Sequence, residues 1–184
     1  MIHYAFDIIG LETAAVARCQ ERKMLETDIP KTITGASELG AAAGTELGIS
    51  PWYEMSQDRI AAFAEATGDH YWIHVDPARA AAESEIGSTI AHGLFTLSLG
   101  PQLMDTIVRF DGFGGKLNYG YERVRFPGPV PVDTRLRMRL SVLDVDEGPG
   151  SIRVRLEQTF ERENEPKPAC VATCILRLET RADG

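Results

Sequence analysis

Arg135-Leu-Arg-Met-Arg-Leu-Ser-Val142 places an apolar residue at every second position, with Leu136, Met138, Leu140 and Val142 on one side and Arg135, Arg137, Arg139 and Ser141 on the other. A period of two is that of a β-strand, so one face of this segment is buried and the other meets water. Downstream, Ile152, Val154 and Leu156 alternate with Arg153, Arg155 and Glu157, and Gly148-Pro149-Gly150 between the two runs reads as a tight turn. Glu163 to Lys167 supplies the next turn and Cys170 to Leu178 a last strand, while Leu117 to Phe126 reads as a further one. Strands wet on one face and joined by short turns make an antiparallel sheet of four or more strands.

Upstream of Gly112 the periodicity is helical. Ser56 is a helix N-cap, Ile60, Phe63 and Ala64 share one face, and Gly68 stands where a helix stops in the left-handed conformation. Asp76-Pro77 opens another helix, which leaves His74 in the loop between the two. A third runs from Gly93 to about Val108, apolar on more than one side and hence buried, with a kink expected at Pro101. Helices gathered before a sheet, one of them covering its face, make an α+β fold.

Nineteen Lys+Arg against 27 Asp+Glu give a net charge of −8, with the arginines scattered. Neither nucleic acid nor an anionic membrane surface is an expected partner. No segment reaches the roughly 20 apolar residues of a bilayer span; Ile90 to Met104 is broken by His92, Ser98, Pro101 and Gln102. Asp7 and Glu12 interrupt the region where a signal peptide is apolar, so a cytoplasmic location is expected. Of three cysteines, Cys170 and Cys174 lie four residues apart in one strand, about 13 Å, beyond the about 7 Å limit for bridged Cα atoms. Reduced thiols follow.

Residues 1–43 read as an N-terminal extension, with a helical segment near Leu11 to Leu25 and a small-residue linker from Gly35 to Gly44. Residues 44–180 form the folded domain and 181–184 a tail.

Two segments combine titratable groups with helix ends: Thr67-Gly-Asp-His-Tyr-Trp-Ile-His-Val-Asp76 and Ile90-Ala-His-Gly-Leu-Phe-Thr96. Asp69 and His74 either move protons on one small molecule, or Asp69 caps backbone N–H groups and His74 is a buried structural histidine. Gly93 either offers an unpaired N–H to a carbonyl oxygen or allows a tight entry into a core helix. His70, His74 and His92 lack the cysteines or H-E-x-x-H spacing of a metal site, so no metal is expected. Neither G-x-S-x-G nor a P-loop occurs.

Ala66-Thr-Gly-Asp-His-Tyr-Trp-Ile-His-Val-Asp-Pro77 followed by Ala80, and then Thr89-Ile-Ala-His-Gly-Leu-Phe-Thr-Leu-Ser98, closely resemble the hydratase motif of the MaoC-like dehydratases, the (R)-specific enoyl-CoA hydratases. Trp72 resembles the nodulation protein N-like subgroup. The resemblance continues through Asn118-Tyr-Gly120, Arg123-Val-Arg-Phe-Pro127, Pro129-Val-Pro-Val132 and Lys167-Pro-Ala-Cys-Val-Ala172. It implies a hotdog fold, an antiparallel sheet wrapped around a long central helix, assembled as a homodimer. It also implies that Asp69 and His74 activate water for addition to a trans-2-enoyl thioester, that Gly93 donates its N–H to the thioester oxygen, and that the product is an (R)-3-hydroxyacyl thioester. Coenzyme A enters as part of the substrate, and no cofactor is implied.

The family asparagine that helps to hold the water is absent here, since Tyr71-Trp72 occupies the place of Asn-Pro. A tyrosine hydroxyl substitutes for it, or the pocket serves another acyl group. Tyr71, Trp72, His92 and Ser98 are the remaining candidate substrate contacts, with packing the alternative for Trp72, a structural role for His92 and a bond back to its own helix for Ser98. Arg79, Arg123 and Arg125 are either contacts for coenzyme A phosphates or parts of a solvated face. The competing functions are a non-catalytic acyl-thioester-binding subunit, a dehydratase acting on an acyl carrier protein or an unusual acyl group, and a thioesterase. The intact Asp69 and His74 pair counts against the last.

Overall fold

The computed structural model describes residues 30–181. In chain order it contains β1 (Lys31–Thr34), α1 (Gly35–Ala41), β2 (Glu46–Ile49), β3 (Tyr53–Met55), α2 (Gln57–Thr67), α3 (Trp72–Val75) and α4 (Pro77–Glu83). There follow α5 (Gly93–Ser98), α6 (Gly100–Ile107), β4 (Val108–Asp111), β5 (Phe113–Arg125), β6 (Thr134–Gly148), β7 (Ser151–Arg162) and β8 (Cys170–Thr180). The main sheet runs β2-β6-β7-β8-β5, with β3 also on β6, all antiparallel. β1 and β4 form a separate parallel pair.

The alternation in β6 and β7 becomes burial as expected. Leu136, Met138, Leu140, Val142, Ile152, Val154, Leu156 and Phe160 are all buried on the inner face. On the outer face, Arg137 and Arg139 pair with Glu161 across the strands and Arg155 with Glu122 and Asp144. Such exposed pairs contribute little stability, about 0–1 kcal/mol each, and chiefly keep this face wet. The inner face wraps around α5 and α6, from which Phe95, Leu99, Leu103, Met104 and Ile107 enter the core. This is the hotdog arrangement.

Several details differ from the sequence reading. The central helix is two helices, ending at Ser98 and resuming at Gly100, with Pro101 in the first turn of the second. Proline lacks the N–H that a continuous helix needs there. At Gly100 an added Cβ would stand 3.1 Å from Gln158 Oε1, so the break also admits a side chain from β7. Second, the segment Gly35 to Gly44 is no linker and residue 44 is no boundary. Glu38 accepts the N–H of Thr34 at 2.7 Å and ties the start of α1, while Ile33 and Leu39 are fully buried. One leucine among small residues suffices to anchor a short helix once a core is there to receive it. The segment expected as a helix near Leu11 to Leu25 lies outside the described residues, as do residues 182–184.

Gly68 stops α2 in the left-handed conformation (φ 74°), its N–H bonded to Ala64 O at 2.8 Å. Ser56 holds the N-cap position by its extended backbone, without a side-chain cap. Asp76 caps α4 through Arg79 N–H at 3.0 Å. His74, expected in a loop, lies on the single turn α3. Cys170 and Cys174 are free and buried on β8, and burial pushes their thiols up to about 12 and about 11. Among the described residues, no helix is long and apolar enough to cross a membrane.

Candidate active site

The stop at Gly68 releases the chain so that Asp69 stands immediately beyond α2, and Tyr71 then starts the turn that carries His74. His74 N–H bonds to Tyr71 O at 2.9 Å and Asp69 Oδ1 receives Tyr71 N–H at 3.4 Å. The turn is fastened to the segment before α5: Ile90 N–H donates to Ile73 O at 3.1 Å. Gln57, on α2, donates to the His74 carbonyl at 2.8 Å and accepts from the Thr89 hydroxyl, joining both segments.

His74 Nδ1 lies 2.7 Å from Ile90 O. A carbonyl only accepts, so Nδ1 carries the proton and the neutral ring keeps its lone pair on Nε2. Burial holds the His74 imidazole below its usual pKa of 6.5 and the neighbouring His92 lowers it further; the bond to Ile90 and the charge of Asp69 oppose them in part. The ring is thus a neutral base at physiological pH.

His92 is almost wholly buried and stacks on His74 with centroids 3.7 Å apart and planes at 26°. Its Nε2–H donates to Asp69 O at 2.9 Å, and the same nitrogen is 3.9 Å from the Asp69 carboxylate. Phe63 backs the pair, its ring 5.1 Å from His92. The ligand atoms of Asp69, His74 and His92 fall within 4.8 Å of one another, but His74 Nδ1 and His92 Nε2 already serve carbonyls, leaving one nitrogen free on each ring. His70 is not one of this group, and its Nδ1 lies 3.6 Å from Glu65 Oε1.

Gly93 begins α5, and the first N–H groups of a helix have no partner inside it. His74 and Gly93 together line two adjoining cavities. One, of about 310 Å³, is completed by Phe63, Asp69, His92 and Leu94; the other, of about 260 Å³, by Thr96, Phe126, Gly128, Val130 and Ala169. A base, a carboxylate and a backbone donor therefore converge at one junction, which suits proton transfer beside a carbonyl.

Of the other expected contacts, Tyr71 is largely exposed with its ring 6.4 Å from that of His74. Trp72 packs beneath the Arg79 guanidinium, 4.5 Å from its ring centre, and Arg79 is held by Glu83. Ser98 donates to Phe95 O at 2.8 Å within its own helix. Neither Trp72 nor Ser98 lines either cavity. Gln57, Phe63 and Phe126 were not legible as site residues, because nothing local in the sequence marks them as chemical, and Thr96, though inside the Ile90 to Thr96 segment, was not singled out.

Residues 38–164 match the MaoC like domain. The chain belongs to the MaoC-like dehydratase family. It is 45% identical over 148 residues to 3-hydroxyacyl-thioester dehydratase Z of Mycobacterium tuberculosis, a stretch covering 80% of this chain and 97% of that relative. It is 41% identical over 146 residues to Nodulation protein N of Rhizobium meliloti, covering 76% and 88%. In fold this MaoC-like dehydratase is similar to an R-hydratase of Pseudomonas aeruginosa, with a TM-score of 0.62 at 22% identity over 76% of this chain and 83% of that one. An (R)-hydratase of A. caviae superposes with a TM-score of 0.59 at 20% identity over 75% and 98%.

Proposed function

We propose that this protein is a cytoplasmic hydro-lyase that reversibly hydrates a trans-2-enoyl thioester, carried on coenzyme A, to the (R)-3-hydroxyacyl thioester. The observation that carries the reading is the His74 Nε2 lone pair, freed by the Nδ1 bond to Ile90 and set beside Asp69 and the Gly93 N–H. The identity to 3-hydroxyacyl-thioester dehydratase Z supports it. In the hydration direction, Asp69 and His74 accept a proton from water as its oxygen bonds to C3. The electron pair of the double bond moves through C2 onto the thioester oxygen, where Gly93 N–H receives the charge; C2 is then protonated by the same pair. Each group is acid in one direction and base in the other. No resident cofactor is needed for this sequence.

The test is loss of enoyl absorbance when the protein meets trans-2-butenoyl-CoA, with chiral analysis of the alcohol. Turnover to the (R)-alcohol is expected, and the acid limb of kcat/KM for hydration is centred below 6.5, because the lowered pKa keeps His74 neutral to more acid values. An acid limb centred above 6.5 would contradict the assignment. Binding of the acyl thioester without turnover would instead indicate a non-catalytic subunit.

A homodimer is part of the proposal. β5 is the edge of the main sheet, 13 residues long, and exposes Leu117 and Tyr119 (56% and 59%). A long apolar edge invites pairing with another strand, here β5 of a second copy. Sedimentation should give a dimer mass that Leu117→Lys shifts toward monomer; a monomeric wild type removes this part of the reading.

A further inference from the structure

An outer cavity of about 650 Å³ lies apart from the dyad, walled by Trp52, Arg137, Arg162 and Pro168 together with the carboxylates Glu161, Glu163 and Glu165. It shares a partition with the catalytic cavity. Pro168 lines one and its neighbour Ala169 the other. Gly128 lines the catalytic cavity, and a Cβ added to it would lie 2.9 Å from an Arg162 terminal nitrogen and 3.3 Å from Pro168 O. Only a glycine lets the guanidinium reach this junction.

Arg162 is out of place by the pattern of its strand. The inward row of β7 is Ile152, Val154, Leu156, Gln158, Phe160 and then Arg162, whose side chain is 10% exposed. A guanidinium has five N–H donors. Among the described residues, Nε is buried without a partner and Nη2 has only two long contacts, Lys167 O at 3.4 Å and Glu165 Oε2 at 3.7 Å. The neighbouring carboxylates are committed elsewhere, Glu161 to Arg137 and Arg139 and Glu163 to Arg135. Glu165 is half exposed, so an entering anion can displace it. Trp52, with Arg137 lying 4.6 Å over its ring, adds an aromatic wall.

We propose that Arg162 anchors a phosphate ester on the carrier arm of the thioester, held in the outer cavity while the acyl end occupies the catalytic one. The proposal rests on the thioester reading above. The phosphate is the 4′-phosphate of a phosphopantetheine arm, common to coenzyme A and a carrier protein, or the phosphates of the adenosine end, found on coenzyme A alone.

The test compares the trans-2-butenoyl thioesters of coenzyme A, 4′-phosphopantetheine and N-acetylcysteamine, the last without phosphate. Loss of a charged hydrogen-bonded contact should raise KM for the CoA ester roughly ten- to a hundredfold in Arg162→Gln, leaving kcat and the N-acetylcysteamine KM unchanged. Arg162→Lys, which keeps the charge, should recover part of the loss and guards against a folding defect in the first variant. The same rise with phosphopantetheine assigns the 4′-phosphate, whereas a rise with CoA alone assigns the adenosine end. Equal effects on phosphorylated and unphosphorylated esters, or none on either, overturn the proposal. If the wild type turns over no thioester, the functional reading fails on its own. Calorimetry with free coenzyme A then decides Arg162: a Kd raised in Arg162→Gln sustains the anchor and an unchanged one removes it.

Discussion

Asp69→Asn and His74→Ala should each lower kcat/KM for trans-2-butenoyl-CoA by roughly 10²- to 10⁴-fold, the usual contribution of a positioned acid–base group. The circular dichroism spectrum should be unchanged. Asp69 is more than half exposed and, among the described residues, its side chain accepts only one weak bond, from Tyr71 N–H, so its carboxylate holds little of the fold together. The backbone carbonyl that receives His92 survives the substitution. His74 loses the Ile90 bond and its stack on His92, but the Gln57 bridge and the Ile90 to Ile73 bond act through main-chain atoms and persist. The pair is expected to act as a unit, so the double variant should be hardly slower than the worse single one. Wild-type-like rates in either single variant would sink the dyad assignment.

That Asp69 and His74 would meet in one cavity was legible because the two residues are local. His74 stands five positions after Asp69, and the signals that frame them, Gly68 after α2 and Asp76-Pro77 before α4, act within one helical turn. The sheet was legible because the period of β6 and β7 shows which face is buried. That period says nothing of neighbour order, and β5 pairing with β8 across some fifty intervening residues had no signature in the chain. Gln57, Phe63 and Phe126 stayed hidden for the same reason, since each meets the site only after α2 and the segment following β5 have docked. The alternation of β7, continued past Leu156 and Phe160, puts Arg162 on the inward row, but nothing local in the sequence says what an arginine there would face. The run from Gly35 to Gly44 misled because small residues mark linkers by composition, while the buried Leu39 decides the matter by packing.

Gly93→Ala should cost kcat roughly 10²- to 10³-fold, the penalty for losing one oxyanion donor, with a smaller effect on KM. Gly93 is not among the positive-φ glycines, so an alanine fits its backbone conformation. The obstacle is space: the added Cβ would stand 3.0 Å from two atoms of the Phe126 ring and 3.1 Å from a third. It meets the ring itself rather than a flexible tip, although Phe126 is 43% exposed. Either the ring or the start of α5 must shift. The second alternative carries the N–H away from the thioester oxygen, and the low dielectric of the cavity makes a donor sensitive to small displacements. A double-variant cycle with Phe126→Ala separates steric displacement from an intrinsic need for glycine. If the clash is the cause, removing the ring returns α5 to its place, and Gly93→Ala costs far less in the Phe126→Ala background than in the wild type. Additive losses would mean that Gly93 serves by some means other than holding its N–H in register beneath that ring.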